Sequence, residues 1–197
     1  MKRAYCLSED RENDIGLRLA VITLQRFCPE ETVFVYRPSP SVSFREWLKG
    51  FPAVTLIPCL PDGANSWNCK PHVLIPLLEK GFEEAIWLDS DIILTRDPGY
   101  LFDNLNPNEL MGSEEPVISP NQGSTIRTTG WGFPVGQNYP ITLNSCVLRT
   151  TLHHLPLLHR WKELLHSQEY CFSQTRPLHE RPVHMLSDQD VLTALIG

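Results

Sequence analysis

Apolar positions fall in short runs along the first half of the chain, and each run ends in a polar or proline-rich break. RAYCL (residues 3–7) reads as a strand and runs into SEDREND, a polar cluster suited to starting a helix. Residues 13–27 place Ile15, Leu19 and Ile22, with Val21 and Leu24 beside them, at helical spacing, and CPEE ends the segment. TVFVY (32–36) has the β-branched and aromatic composition of a strand. RPSPSVS is a loop, FREWLKG a short helix closed by Gly50, AVTLIP (53–58) a third strand and PDGANS a turn. In CKPHVLIPLLEKG (69–81), Val73, Leu74, Leu77 and Leu78 keep helical spacing. Pro71 suits the first turn of that helix, Gly81 stops it, and Pro76 sits inside it as a point of kinking. EAIWLDSDIIL (84–94) is the strongest strand signal in the chain.

The alternation of strand, helix, strand, short helix, strand, helix, strand predicts an α/β fold with a mostly parallel central sheet. The uninterrupted apolar AIWL fits a central strand covered on both faces. Residues 106–140 break the pattern with many prolines and glycines and read as one long irregular segment, the kind that often carries function. Regularity then returns. ITLNSCVLR (141–149) reads as a strand. LPLLHRWKELLHS (155–167) reads as an amphipathic helix with Leu158, Trp161, Leu164 and Leu165 inward. RPLHERPV is a loop, and SDQDVLTALIG (187–197) a helix capped by Ser187 or Asp188. All 197 residues fit one domain.

Composition narrows the classes. With 42% hydrophobic and 20% charged residues the chain is an ordinary globular one. Its net charge of -6 argues against nucleic acid as a partner, which would call for a basic face. No apolar run approaches the roughly 20 residues of a transmembrane helix, and no signal peptide is read at the N-terminus. The six cysteines form no CxxC pair, so free thiols in a reducing cytoplasm are expected rather than a disulfide framework or a zinc site. His153, His154, His159 and His166 read as ordinary surface histidines, the last two on the polar side of the 155–167 helix. Trp131, in the irregular segment, reads as a loop anchor or as an aromatic platform for a ligand.

What the bulk pattern does not explain is a pair of carboxylates, Asp89 and Asp91, set into the apolar run IWLDSDIIL. In an extended strand residues i and i+2 share a face, so the two acids would point the same way with Ser90 on the other side. Ligands of open parallel sheets bind at the carboxyl ends of strands. Two carboxylates there repel unless one is protonated or a cation lies between them. A hard divalent ion, Mg2+ or Mn2+, suits such oxygen ligands and keeps positions open for a substrate diphosphate. The alternative is a structural pair, with Asp89 ending the strand and Asp91 solvated in a turn.

Three segments in order, WLDSDIILTRD, NSCVLR (144–149) and SDQDVLTALIG (187–197), resemble the D-x-D, N-x-G-V and D-Q-D-x-L-N segments of GT-A glycosyltransferases, particularly the glycogenin-like and galactosyltransferase-like family 8 enzymes. The resemblance implies a Rossmann-like GT-A nucleotide-diphospho-sugar transferase fold and a hexosyltransferase using a nucleotide-sugar donor, a UDP-sugar, with Mn2+ or Mg2+. It implies that Asp89 and Asp91 bind the metal, Asp89 and Ser90 also meeting the donor, and that residues 6–10, Ser8 and Asp10 among them, meet its base and ribose. Lys70 would lie near the donor, Asn144 and Ser145 would line the donor sugar, Asp188 would bind sugar hydroxyls, and Gln189 would sit by the anomeric carbon. The resemblance also implies a retaining mechanism in which, a neutral amide being no strong nucleophile, the leaving diphosphate would assist acceptor attack. The acceptor, a glycan, a lipid or a protein, is left open.

The chain departs from that pattern at two places. Cys146 stands where the family has glycine, and the 197 residues contain no H-x-x-G-x-x-K-like segment to supply a third, histidine ligand. The chain is therefore read as C-terminally truncated relative to the family. A non-catalytic sugar-nucleotide-binding domain is the second reading. A haloacid-dehalogenase-type phosphohydrolase is the third, although its nucleophilic aspartate normally lies near the N-terminus and not at residue 89.

Overall fold

The computed structural model describes residues 2–11, 14–59, 66–115 and 122–197; the expected turn at PDGANS lies almost wholly outside them. The chain divides into two compact units, residues 1–111 with 146–155, and residues 112–145 with 156–197.

The first unit follows the alternation read from the pattern: β1 (Arg3–Ser8), α1 (Ile15–Phe27), β2 (Thr32–Tyr36), α2 (Val42–Leu48), β3 (Val54–Ile57), α3 (Lys70–Glu79) and β4 (Glu84–Leu88). Later come β5 (Met111–Glu114), α4 (Ser124–Gly130), β6 (Leu143–Thr151), α5 (Leu155–Leu165), α6 (Gln168–Gln174) and α7 (Asp188–Ile196). The sheet order is β3-β2-β1-β4-β6-β5. β1, β2, β3 and β4 pair in parallel, and β6 runs antiparallel to β4 with Leu88 opposite Val147. After β1 the chain moves to one side for β2 and β3, then returns to the other side for β4. The carboxyl ends of β1 and β4 therefore flank a topological switch point, where ligands of such sheets bind.

Alternation along the strands builds the core of this unit. Tyr5 and Leu7, Val33 and Val35, and Ile86 and Leu88 face one side, where they meet Leu17, Ala20, Val21 and Leu24 of α1 and Phe44 and Leu48 of α2. The expected α1 stripe is corrected here: Ile15, Leu19 and Ile22 are exposed, and the buried face runs through Leu17 and Ala20 instead. α3 packs on β4 and β1. It is buried at every position from Lys70 to Leu78 except Pro76, which explains its nearly unbroken apolar sequence.

Buried charge ties the sheet together. Glu84, 1% exposed, receives Arg3 Nε at 2.7 Å and Arg149 Nε at 2.8 Å. Arg149 also donates to the carbonyl oxygens of Asn106 and Glu109, at 2.9 and 2.7 Å, so it holds that loop to the strand.

His154 is buried, not a surface histidine as the sequence suggested. The Thr151 backbone N–H donates to its Nδ1 at 3.0 Å. Burial lowers its pKa, and the nearby Arg149 charge pushes the same way. The unfolded chain thus takes up this proton first. The stability contributed by neutral His154 is present above about pH 6.5 and is lost as pH falls through the lowered native value. We expect the urea midpoint to drop between pH 7.5 and 5.5, and to drop less in His154→Gln; equal drops in both chains would assign the slope to other groups.

In the second unit α4 and α7 pack together. Ser187 is the N-cap of α7 and Asp190 completes its capping box, so Asp188 is the first helical residue and not the cap. Arg127 of α4 bonds Asp190 Oδ1 at 2.8 Å, and Thr128 Oγ1 donates to the Ala194 carbonyl at 2.9 Å. Burial raises the Asp190 carboxyl pKa against the opposing pull of Arg127. Leu158, Trp161, Leu164 and Leu165 are the buried residues of α5, as their spacing predicts. The segment expected to be irregular contains β5 and α4, and α6 follows α5 where no element was expected. Trp131 is an anchor, its indole donating to the His184 carbonyl at 3.0 Å. Cys6, Cys28 and Cys69 are buried, Cys146 is half-buried, and Cys59 and Cys171 are exposed, all six as thiols rather than disulfides. No helix among the described residues is long and apolar enough to cross a membrane.

Candidate active site

A cleft of about 240 Å³ opens at the switch point of the first unit. Ser8, Glu9, Asp10 and Arg11 line it from the loop after β1, and Asp89, Ser90 and Asp91 from the turn after β4; Trp67 and Trp87 complete it. Cys6 and Leu7, inside the residue 6–10 range expected to meet a base and ribose, are fully buried in the sheet.

The acid pair reaches this cleft by a route other than strand alternation. β4 stops at Leu88, where pairing with β6 ends. The Asp89 N–H is then taken by the Cys146 carbonyl at 2.8 Å, and the Ile92 N–H returns to the Asp89 carbonyl at 3.0 Å. That bond closes a tight turn over residues 89–92, so Asp91 lies in a turn rather than on the face of an extended strand. Helix α1 touches this turn through Gly16. A Cβ there would stand 3.0 Å from the Ser90 carbonyl oxygen, tighter than ordinary contact.

Asp89 is held from one side. Trp87 Nε1 donates to its Oδ1 at 2.6 Å, and Lys70 Nζ stands 3.5 Å from the same oxygen. Lys70 is 3% exposed and its ammonium also lies over the Trp87 ring, 5.8 Å from the centroid. The lysine is thus a buried charge set against the first carboxylate. Asp91 is exposed.

Ser90 supports the loop across the cleft. Its hydroxyl donates to Glu9 Oε2 at 2.8 Å, and Arg11 grips both oxygens of Glu9 at 2.8 and 2.7 Å. Burial opposes charge on Glu9, but the bonds from Arg11 and Ser90 prevail and hold its carboxyl below the usual range. Arg11 and Trp67 were not singled out in the sequence, and Glu9 entered only as part of the residue 6–10 range. Glu9 and Arg11 sit in the SEDREND cluster, whose polarity signalled only a helix start.

The remaining candidates form a network in the second unit. Ser145 is fully buried and its hydroxyl donates to Asp188 Oδ2 at 2.9 Å. Asp188 is itself buried, and its backbone carbonyl accepts the Trp161 indole N–H at 2.9 Å. Asn144 Nδ2 and Gln189 Nε2 both donate to Glu115 Oε2, each at 2.9 Å. Sequence reasoning missed Glu115; it lies in the irregular segment, 29 and 74 residues from its partners.

No family model matches the chain, and no curated protein matches it in sequence. Solved structures do match in fold. The apo form of the glycosyltransferase GlyE from Streptococcus pneumoniae TIGR4 superposes with a TM-score of 0.62 at 16% identity, over 99% of this chain and 43% of that one. The galactosyltransferase LgtC, solved in complex with donor and acceptor sugar analogs, gives 0.59 at 16% identity, over 98% of this chain and 70% of that one. The fold is that of the GT-A glycosyltransferases. The chain spans less than half the length of GlyE.

Proposed function

We propose that this GT-A chain is a glycosyltransferase that moves a hexose from a UDP-sugar to a hydroxyl acceptor and depends on a divalent ion. The observation that carries the reading is the acidic cleft at the switch point, with two carboxylates on one turn and a buried lysine against the first of them.

The donor set suits a hard cation. Asp89 and Asp91 offer oxygen only, and among the described residues no cluster of three or more His, Cys, Asp or Glu side chains stands ready to ligate a metal. An ion held by two carboxylates takes its other ligands from water and a substrate diphosphate, the usual habit of Mg2+ and one open to Mn2+. When bound, it supplies positive charge against the diphosphate as the sugar–phosphate bond breaks. Lys70 adds a second positive charge from a buried position, where it acts more strongly than in water. Ser8 and Asp10 are assigned to the nucleoside. Asn144, Asp188 and Gln189 are the groups assigned to sugar hydroxyls and the anomeric centre. The retaining outcome is taken from the family resemblance, and the neutral amides of Asn144 and Gln189 fit diphosphate-assisted attack of the acceptor better than a covalent intermediate on either of them.

The test is titration of the chain with UDP-glucose and UDP-galactose in Mn2+ and in EDTA, with release of UDP followed over hours. We expect Mn2+-dependent binding of one donor and its slow hydrolysis when no acceptor is present. Absence of donor binding in Mn2+ would sink the reading.

A further inference from the structure

The middle residue of the Asp-Ser-Asp turn is tied to the opposite wall of the cleft. Ser90 is buried, and its O–H donates to Glu9 Oε2 at 2.8 Å. A hydroxyl carries one proton, so its donor is committed to that carboxylate. Glu9 is itself fixed from several directions. Its backbone N–H donates to the carbonyl of Tyr36, the last residue of β2, at 3.1 Å. Its Oε1 accepts the Arg11 backbone N–H and Nε, at 2.9 and 2.8 Å, and its Oε2 accepts Arg11 Nη2 at 2.7 Å beside the Ser90 hydroxyl. Glu9 is buried, whereas Arg11 is exposed in the cleft lining. One buried carboxylate thus joins the chain leaving β1, the end of β2 and the turn after β4. From the α1 side the same turn is bounded through its backbone, where the Ser90 carbonyl lies close to Gly16.

We infer that Glu9 and Ser90 are a positioning pair and that Ser90 serves the donor only through Glu9: their bond holds the Asp89–Asp91 turn against the loop of Ser8 and Asp10, so that one ligand meets both walls of the cleft. The inference rests on the transferase reading for its ligand, a metal-bound nucleoside diphosphate, and on the hydrogen-bond geometry for the positioning. Breaking the bond leaves Asp89, Asp91, Ser8 and Asp10 in place along the chain but lets the two walls move separately. A ligand that must engage both then meets a site that is no longer set in advance, and its binding has to supply the ordering. Two residues that act through one shared bond lose that function once, whichever of them is removed, whereas two independent contacts lose it twice.

The experiment is a double-mutant cycle on UDP affinity in Mn2+, with Glu9→Met, Ser90→Ala and the two combined. Methionine keeps the buried volume and removes both acceptor oxygens, and the exposed Arg11 is released to water rather than stranded. We expect each single variant to lose about tenfold, the worth of one hydrogen bond to a charged group, and the double variant to lose about tenfold as well instead of a hundredfold. Glu9→Gln, which keeps an oxygen able to accept the Ser90 hydroxyl, is expected to recover part of the loss. In the same proteins without ligand or metal, exchange of the Ile92 amide, whose bond to the Asp89 carbonyl closes the turn, is expected to quicken severalfold in both single variants. Losses that add in the double variant would mean that Ser90 touches the donor itself, and unchanged affinity in either single variant would mean that the bond positions nothing; both results overturn the inference. If wild type binds UDP but transfers no sugar, the transferase reading fails and the cycle still decides the pairing. If wild type binds no nucleotide, the reading fails and the Ile92 amide decides: quickened exchange in both variants sustains the positioning, and unchanged exchange overturns it. Should Glu9→Met not fold, the cycle is run with Glu9→Gln, whose smaller loss must likewise fail to add to that of Ser90→Ala.

Discussion

The Asp89→Asn, Asp91→Asn chain is expected to bind a UDP-sugar no better in Mn2+ than in EDTA. A bound divalent ion is worth several kcal/mol of charge stabilisation on a phosphoryl oxygen, so at least about a hundredfold of Mn2+-dependent affinity should vanish. The single variants separate the site's two aspartates. Asp91 is exposed, and Asp91→Asn is expected to change stability by no more than about 0.5 kcal/mol while weakening Mn2+-dependent binding. Asp89 faces the buried ammonium of Lys70 and the Trp87 indole. Asp89→Asn should therefore also cost about 1–3 kcal/mol in urea unfolding, because it withdraws a charge from a buried cation. Isothermal titration with and without Mn2+ reads the first effect. Affinity unchanged in the double variant would make the pair a structural turn and nothing more.

The largest effect on stability is expected at Glu84. Its carboxylate lies between the buried guanidinium groups of Arg3 and Arg149, and Glu84→Ala leaves both charges inside without it. Breaking a buried pair from one side typically costs about 3–5 kcal/mol, a large share of the 5–15 kcal/mol that holds a domain of this size. Glu84→Ala should lower the urea midpoint far more than Arg149→Met, which removes a charge instead of stranding one. A loss under about 1 kcal/mol for Glu84→Ala would mean that the arginines reach water and that the network contributes little.

Much of this architecture can be read from the residues, for reasons that differ between elements. The four parallel strands announce themselves because each is a short apolar run between breaks, and the inward residues of α5 because Leu158, Trp161, Leu164 and Leu165 keep strict helical spacing. The pattern misled at α1, where apolar residues lie on more than one face and nothing local says which face is covered. At β4 it overran: IWLDSDIIL is apolar on both sides of the acids, and only the end of pairing with β6 at Leu88 stops the strand. α4 was not legible because STIRTTG is a poor helix on its own. Its stability comes from Arg127 and Thr128 reaching α7. Asp89, Asp91 and Lys70 came from motif and order. Glu115 did not, since it acts through partners far away in sequence, and a single acidic residue in a loop carries no sign of what it will hold; Glu9 fell inside the residue 6–10 range, but its bond to Ser90 was not foreseen.

The contact at Gly16 bears on how this chain can vary. A glycine near the start of a helix usually gives way to alanine, which forms helix more readily. Here the added methyl would press on the Ser90 carbonyl, between the two aspartates. Drift at residue 16 is thereby tied to the acid pair. A change that improves the helix moves the turn, and a relaxed turn would free the helix to accept other residues. In a collection of diverged copies of this chain, glycine at 16 and an intact Asp-Ser-Asp turn should be kept together or lost together.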